Sequence, residues 1–326
     1  TKNATALTGI GGESATISVA ATGIGTLTYQ WYELTANTNA APAPITGETT
    51  AAFAPDLSKL GMRRYYCQVT DANGNSINSD IAEVAVGCGA KTVAGGWSIF
   101  MCYNLGATDQ SIALQKAYTA SGNTDAVVYG DLYQWGRTRD GHEKRTSGTS
   151  TTLATGVTSG GTTTNGVTTG GLNTFILAPS YPYNWTSAPT ADMNWRNQKN
   201  ATYDPCPAGF RIPAQGEWSD IFRGGSAPGA KATAVANTWV WHGAANGTAG
   251  YEIKPDGETT TLFLPAAGSR SHSDGELSSV GSAGLYWSGS LSSVYSLLLY
   301  INGGDVYPAS PHNRGNGRSV RCIAEL

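Results

Sequence analysis

Prolines, a cysteine and tryptophans cluster between residues 194 and 218, and this cluster constrains the fold more than any other part of the sequence. It comprises NWRN at 194–197, DPCPAGFRIP at 204–213 and Glu217-Trp218. Each proline fixes a backbone torsion and removes a hydrogen-bond donor, so the chain is held on an irregular path up to residue 213.

A short helix is predicted directly after this cluster. Trp218, Ile221 and Phe222 recur at the spacing of one helical face, which is typical of an amphipathic helix packed on a core. Gly224-Gly225 is predicted to end it.

Composition favours an extracellular β-rich protein with long ordered loops. Charged residues make up 13% of the 326 residues, against roughly 25% in an average soluble protein. The 42 glycines are nearly twice the roughly 7% that is usual. The net charge is −3 without a basic cluster, which argues against a nucleic-acid partner. No apolar run reaches the roughly 18 residues of a membrane span, so we expect a protein that does not span a membrane.

The start of the chain and its cysteines also help to predict the cellular compartment of the protein. The chain opens on TKN without a secretion signal, and we expect a signal or upstream domains to have been removed. Five cysteines, an odd number, leave at least one thiol without an internal partner. They are either structural disulfides of an oxidising compartment or inert buried thiols; we favour two disulfides and one free cysteine.

Residues 1–86 carry a strand pattern of their own. SATISVA at 14–20 alternates apolar and polar residues, and YQWYE at 29–33, YYCQVTD at 65–71 and IAEVAV at 81–86 read as further strands. A Trp on one strand and a Tyr two residues before a Cys on a later one resemble the core of the immunoglobulin fold. The strand that would carry the partner cysteine has Ile17 and Val19 instead, so we expect Cys67 to be a buried, inert thiol. Such a module would act as a spacer.

Seven blocks follow in order between residues 87 and 326. They are GCGAK (87–91), WSIFMCYNLGA (97–107), YGDLYQWGR with RDGH (129–142), the opening cluster, TLFLPAAG (261–268), YWSGS (286–290) and GRSVRCI (317–323). Together they resemble the Fibrobacter succinogenes major paralogous domain, a family of Bacteroidetes and related bacteria. The family is similar in fold to C-type lectins and the formylglycine-generating enzymes. The resemblance implies an α+β C-type-lectin-like domain: a short helix or two around a twisted antiparallel sheet with long irregular loops.

The resemblance also implies which cysteines pair. In lectin-like folds a disulfide commonly ties the helix region to the last strand, which matches Cys206 and Cys322. Cys88 and Cys102 are then the other natural pair, at the entrance of the domain. SVRCI at 319–323 is predicted to be that last strand.

Residues 146–171 are almost entirely Thr, Ser and Gly with scattered Leu and Val. A segment of this kind buries little apolar surface, so a long surface loop is predicted there.

Catalytic and metal-binding patterns are lacking in the sequence. The four histidines have no metal-ligand spacing, and there is no nucleophile elbow, phosphate loop or HExxH motif. Asp140 and His142 are close in sequence, but Asp140-Gly141 reads more simply as a turn. We therefore predict no enzyme and no cofactor. A structural calcium ion is left open, although the calcium-like residues Asp71, Asn73 and Asn75 are better explained by a hairpin turn.

A binding face is predicted on the loops, where recognition usually lies. Trp287, Trp218 and Trp195 are assigned to the core. The candidate ligand-binding residues are aromatic, histidine and arginine side chains in three segments: Trp239, Trp241 and His242; Arg270 and His272; Tyr307, His312 and Arg314.

The leading hypothesis is a secreted or cell-surface bacterial adhesin that presents a lectin-like domain on an immunoglobulin-like spacer. Its ligand would be a glycan or a surface protein. One alternative is a structural subunit of a surface appendage or envelope. Another is an oxidative enzyme of the formylglycine-generating group, which would need a pair of free, adjacent thiols.

Overall fold

The structure, a computed structural model, describes most of the chain. The described residues are 7–9, 16–34, 42–56, 61–86, 88–94, 96–108, 111–157, 163–164, 173–187, 195, 199, 203–222, 237–255 and 257–325. Contacts divide the chain into two compact units, Thr1–Cys88 with Ala324–Leu326, and Gly89–Ile323.

The described residues form mainly short strands. The helices are α1 (Ile112–Ala117), α2 (Ala126–Tyr129) and α3 (Gln215–Phe222), with a 3₁₀ turn at Ala244–Asn246. The strands are β1 (Leu7–Gly9), β2 (Ile17–Ser18), β3 (Thr28–Leu34), β4 (Ala43–Pro44), β5 (Ala52–Phe53), β6 (Gly61–Thr70), β7 (Ser76–Asn78), β8 (Ala82–Val86), β9 (Cys88–Lys91), β10 (Trp97–Phe100), β11 (Tyr133–Gln134), β12 (Thr149–Ser150), β13 (Gly156–Val157), β14 (Thr163–Thr164), β15 (Phe175–Ile176), β16 (Phe210–Arg211), β17 (Thr238–His242), β18 (Gly250–Lys254), β19 (Leu262–Pro265), β20 (Ala267–Arg270), β21 (Leu277–Val280), β22 (Ala283–Ser292), β23 (Tyr295–Asn302), β24 (Val306–His312), β25 (Gly317–Arg318) and β26 (Ile323–Ala324). The prediction of a β-rich chain with few helices is confirmed.

The first unit is built of two sheets. One has the order β1-β8-β6-β3-β4 with β7 paired to β6, and the other pairs β2 with β5. Trp31 and Cys67 lie opposite each other on β3 and β6, and both are buried in one apolar cluster with Phe53. The Trp31 indole N–H donates to the Thr50 carbonyl at 2.9 Å, which satisfies a polar group that burial would otherwise leave unpaired.

The second unit contains a seven-stranded sheet. Its order is β11-β25-β20-β22-β23-β24, with β21 paired to β20. Helix α3 packs against β22, β23 and β24. The smaller sheets are β17-β18-β19, β16-β26-β10-β9 and the strand pairs β12-β15 and β13-β14.

Tryptophans fill the core of the second unit, and their N–H groups bond to main-chain carbonyls. Trp195, Trp218 and Trp287 are each 0% exposed, as the sequence analysis predicted. Trp287 Nε1 donates to the Tyr133 carbonyl at 2.7 Å, and Trp195 Nε1 donates to the Tyr203 carbonyl at 2.7 Å. These side chains supply large apolar area and also position distant loops.

Both predicted disulfides are confirmed. Cys206 is bonded to Cys322 across 116 residues, and Cys88 to Cys102. Cys67 is free and buried, and burial raises the pKa of its thiol, which keeps it protonated and unreactive.

Two local predictions are confirmed only in part. The helix is confirmed as α3, but its predicted glycine stop lies outside the described residues. The predicted strand at 319–323 is interrupted: Ser319 forms an isolated bridge with Tyr286, and only Ile323 and Ala324 form β26. The Val320 and Cys322 carbonyls instead accept N–H bonds from Leu105 and Met101.

Most residues of the Thr/Ser/Gly segment 146–171 whose exposure is described lie at the surface, but the segment is not entirely loop. It contains β12, β13 and β14, and Ala154 is 0% exposed. The partner strand of β12 is β15, which lies outside the segment, so local composition could not reveal the pairing.

The disulfide between Cys206 and Cys322 should dominate the stability of the second unit. Replacing both cysteines by Ala should lower the free energy of unfolding by up to about 4–5 kcal/mol, because the closed loop exceeds 100 residues. Denaturant unfolding followed by tryptophan fluorescence measures the loss. Cys67→Ala is the control, because it removes a buried cysteine without removing a disulfide. If the double variant lost no more free energy of unfolding than this control, the prediction would be contradicted.

Candidate functional site

The predicted ligand-binding residues lie at separate places in the second unit. Trp239, Trp241 and His242 are on β17, Arg270 ends β20, and Tyr307 and His312 are on β24. Tyr307 and His312 are five residues apart on one strand, which corresponds to roughly 17 Å. A single compact pocket therefore does not contain the whole set.

Trp239 and Trp241 share one face of β17. They lie opposite Ile253 and Tyr251 of β18, and the Trp241 and Tyr251 rings meet edge to face at 5.1 Å. Both tryptophans are half-buried. The Trp239 indole N–H is buried, and it has no hydrogen-bond partner among the residues that the structure describes.

His242 belongs to the opposite face of β17, so it does not join the two tryptophans. Its Nδ1 lies 3.0 Å from a Glu252 carboxylate oxygen, and its Nε2 lies 3.1 Å from the Asn246 carbonyl. Burial would raise the pKa of Glu252, but hydrogen bonds from Lys116, Thr260 and His242 lower it to about 2. Both ring nitrogens of His242 are thus engaged within the protein.

Arg270 is a predicted ligand-binding residue, but its side chain is buried and binds within the protein. It is 5% exposed, its guanidinium lies 4.5 Å from the centroid of the Phe175 ring, and its donors are occupied. Nε donates to the Gly275 carbonyl at 2.8 Å, and Nη2 to the Ser147 carbonyl at 2.7 Å. Its role is to hold two loops together.

His272 is half-buried and joins two loops. Nδ1 donates to the Ala178 carbonyl at 2.9 Å, so Nε2 is the acceptor and receives a hydrogen bond from the Asn313 amide at 3.1 Å. The neutral tautomer therefore fits its surroundings. This pair brings two of the predicted segments, 270–274 and 312–314, into contact.

A neighbouring loop that the sequence analysis missed completes this surface. Tyr183 has a φ of 56°, a conformation that costs an aromatic residue strain energy. Its carbonyl accepts the Gly315 N–H at 2.9 Å, and its ring lies 5.0 Å from His272. Tyr181 stands beside it with 68% of its surface exposed.

We call Tyr181, Tyr183, His272, Asn313 and Arg314 the rim surface. The only sequence signal for the tyrosines is the short motif SYPY at 180–183, where Pro stands between two aromatic residues. Its position beside His272 depends on long-range folding, which the motif does not show.

Arg314 is the last residue of the rim surface in the sequence. Its guanidinium lies 5.0 Å from the centroid of the Trp135 ring, a cation–π contact. Nη2 donates to the Ser293 carbonyl at 2.9 Å, whereas Nε has no partner.

Tyr307 and His312 have different surroundings. Tyr307 lies opposite Tyr300, with ring centroids 5.8 Å apart. His312 Nδ1 lies 3.4 Å from Arg318 Nη2, and burial, followed by the charge of Arg318, lowers the pKa of His312 to about 4.

Asp140 and His142 belong to a buried polar network. His142 is 0% exposed; its Nδ1 lies 2.6 Å from Asp140 Oδ1, and its Nε2 accepts the Gln134 N–H at 3.0 Å. Asp140 also pairs with Arg137 at 2.7 Å. The predicted turn is present, since Asp140 Oδ1 accepts the His142 N–H at 3.1 Å.

This network does not suit a metal ion, although Asp140, His142 and Glu143 bring ligand atoms within 4.8 Å of one another. A ligating imidazole needs a free lone pair, and the one on Nε2 of His142 already accepts a backbone N–H. Asp71 is engaged in a similar way, because its Oδ1 accepts the N–H groups of Asn73 and Asn75 at 2.9 and 3.0 Å.

Comparisons with known proteins add no relative. No family model, curated protein or solved structure matches this chain. Among the described residues, no helix is long and apolar enough to cross a membrane.

The buried network should be essential for stability. Asp140→Asn should lower the free energy of unfolding by about 3–5 kcal/mol, because it leaves the buried Arg137 cation without its carboxylate. Thermal and denaturant unfolding measure the effect. Asp274→Asn, at an exposed carboxylate, is the control, and equal losses in the two variants would show that the buried ion pair matters little.

His312 should make stability depend on pH. Its pKa is about 4 in the folded protein and 6.5 ordinarily, so the unfolded chain takes up a proton first as the pH falls. His312 contributes about 3 kcal/mol to the free energy of unfolding above pH 6.5, and this contribution is lost as the pH falls toward 4.

Unfolding of wild type and His312→Asn across this pH range tests the effect. Asn keeps a side-chain acceptor for Arg318 but does not titrate, so its stability should fall less than that of the wild type. Parallel curves would contradict the assignment.

Proposed function

We propose that the chain is a secreted or cell-surface bacterial protein that binds a ligand rather than catalysing a reaction. Its second unit would be a C-type-lectin-like domain of the major paralogous type, and its first unit an immunoglobulin-like spacer. The ligand would be a glycan or a surface protein, as for an adhesin.

The domain assignment rests on particular residues. In the first unit, the buried Trp31 faces Cys67 across β3 and β6, the two residues that carry the immunoglobulin resemblance. In the second unit, the disulfide from Cys206 to Cys322 joins two of the blocks that carry the family resemblance. Two disulfides favour an oxidising compartment.

The rim surface is the observation that carries the binding proposal. An exposed tyrosine, a strained tyrosine and a histidine have neighbouring rings, and the histidine also contacts the Asn313 amide, which directly precedes the half-buried Arg314 in the chain. Tyrosine and arginine are enriched at recognition sites. Tyrosine combines a large contact area and a hydrogen-bonding hydroxyl with a low conformational-entropy cost. The bond between Tyr183 and Gly315 holds these side chains in place before a ligand arrives, which reduces the entropy cost of binding.

The cysteines argue against an oxidative enzyme of the formylglycine-generating type. That chemistry needs a pair of adjacent thiols, but four cysteines are paired as disulfides. The remaining thiol, Cys67, is buried in the first unit.

Tyr181 should be important for binding and unimportant for folding. Wild-type protein on an array of glycans and matrix proteins should identify a ligand, and Tyr181→Ala should weaken its binding by about tenfold or more. The melting temperature should stay nearly unchanged, because the side chain is mostly exposed. Leu114→Ala, which truncates another exposed side chain, should leave affinity unchanged. An intact protein that binds nothing on the array would remove the main support for this function.

A further inference from the structure

Arg318 differs from the other buried arginines of the second unit in having almost no partners. It is 6% exposed, yet its contacts are 3.5 Å to the Gly317 carbonyl and 3.4 Å to His312. Both distances are at the outer limit of hydrogen bonding. Its Nε is buried, and no described residue accepts a hydrogen bond from it.

Other buried arginines show what a satisfied guanidinium looks like here. Arg321 donates to Asn104 Oδ1 at 2.7 and 3.0 Å and to the Met101 carbonyl at 3.1 Å. Arg145 donates to three main-chain carbonyls at 2.6, 2.8 and 3.1 Å. Arg137 pairs with the Asp140 carboxylate. Arg318 makes no contacts as short as these with the described residues, so a role in holding chain segments together does not explain why it is buried.

The charge of Arg318 is not balanced by the protein. Burial lowers the pKa of Arg318 to about 9, so the guanidinium is still protonated at neutral pH, and no carboxylate among the described residues pairs with it. A buried cation without a counter-charge is unfavourable unless an anion joins it.

His312, which contacts Arg318, and Ser296, which lies opposite His312, supply two further donors. His312 accepts from Arg318 at Nδ1, and a neutral imidazole with Nδ1 as acceptor carries its proton on Nε2. No hydrogen bond joins that Nε2 to a described residue. Ser296 lies opposite His312 on β23, which puts their Cβ atoms roughly 5 Å apart. Its buried hydroxyl has no hydrogen-bond partner in the part of the chain that the structure describes.

We propose that Arg318, together with His312 and Ser296, forms a binding site for an acidic sugar, and that the guanidinium of Arg318 binds the carboxylate of that sugar. The guanidinium presents parallel N–H donors that match the two oxygens of a carboxylate. Because Nδ1 of His312 faces Arg318, its Nε2–H points away from the guanidinium and would donate to a hydroxyl or ring oxygen of the sugar rather than to the carboxylate. The Ser296 hydroxyl beside His312 would add a second neutral hydrogen-bonding group. The site holds one positive charge, which one carboxylate balances.

The sugar part of the ligand is inferred from the proposed function and from the His312 Nε2–H donor, which lies on the side of the imidazole away from Arg318. The site lies at the end of β24, an edge strand of its sheet among the described residues, two residues before Arg314 of the rim surface. This inference rests on the proposed ligand-binding function and specifies the charge of the ligand.

The first experiment uses the wild-type chain with three probes: D-glucuronate, D-glucose and acetate. Saturating glucuronate should raise the melting temperature by about 2–4 °C, which corresponds to about 1 kcal/mol for a unit of this size, and should shift the NMR signals of the His312 ring. Glucose and acetate at equal concentration and ionic strength should have much smaller effects. An equal effect of glucose would refute the carboxylate site, and an equal effect of acetate would refute the sugar part.

The second experiment uses variants of Arg318. Arg318→Gln and Arg318→Met should lose the glucuronate response while melting at or above the wild-type temperature, because an uncompensated buried cation is removed. Arg139→Gln, which removes an exposed arginine, should keep the response. If Arg318→Met unfolds, or if either variant keeps the glucuronate shift, the site is refuted. Binding of a neutral glycan through Tyr181 without any glucuronate response would refute this site and leave the proposed function standing.

Discussion

Hydrogen bonds from buried side chains to main-chain carbonyls hold the second unit together. Arg145 reaches the carbonyls of Asn123, Gly130 and Ala267, which connects chain segments more than a hundred residues apart. Trp287 binds the Tyr133 carbonyl in the same way. A unit with short strands and long loops has many backbone groups outside ladders, and buried groups must be paired. Arginine and tryptophan supply the donors that strand pairing does not.

Several features could be predicted from the sequence because their signals are local or belong to a recognisable motif. Helix α3 follows from the spacing of Trp218, Ile221 and Phe222, which depends only on helix geometry. The disulfide from Cys206 to Cys322 followed from the resemblance to lectin-like folds, since the positions of two cysteines in a chain do not determine their pairing.

The candidate site could be predicted only in part. His272 and Arg314 were identified by residue type, but Tyr181 and Tyr183 were missed, since their place beside His272 depends on contacts across about ninety residues. The burial of Arg270 could not be predicted from the sequence for a related reason. Charged residues are rarely fully buried unless they are paired, so an arginine near a predicted loop is expected at the surface. Only the three-dimensional structure shows the carbonyls that Arg270 binds.

The hydrogen bonds from buried arginines to carbonyls hold a loop by its main chain alone and do not involve its side chains. Every peptide unit has a carbonyl, whatever residue carries it, so a guanidinium that holds a loop by its carbonyls places no demand on that loop's side chains. Asn123, for instance, is bound through its main chain by Arg145, and its side chain is left to face solvent. The path of such a loop and its surface chemistry can then change independently of each other. A fold of this kind can keep one framework while its outer residues meet quite different partners.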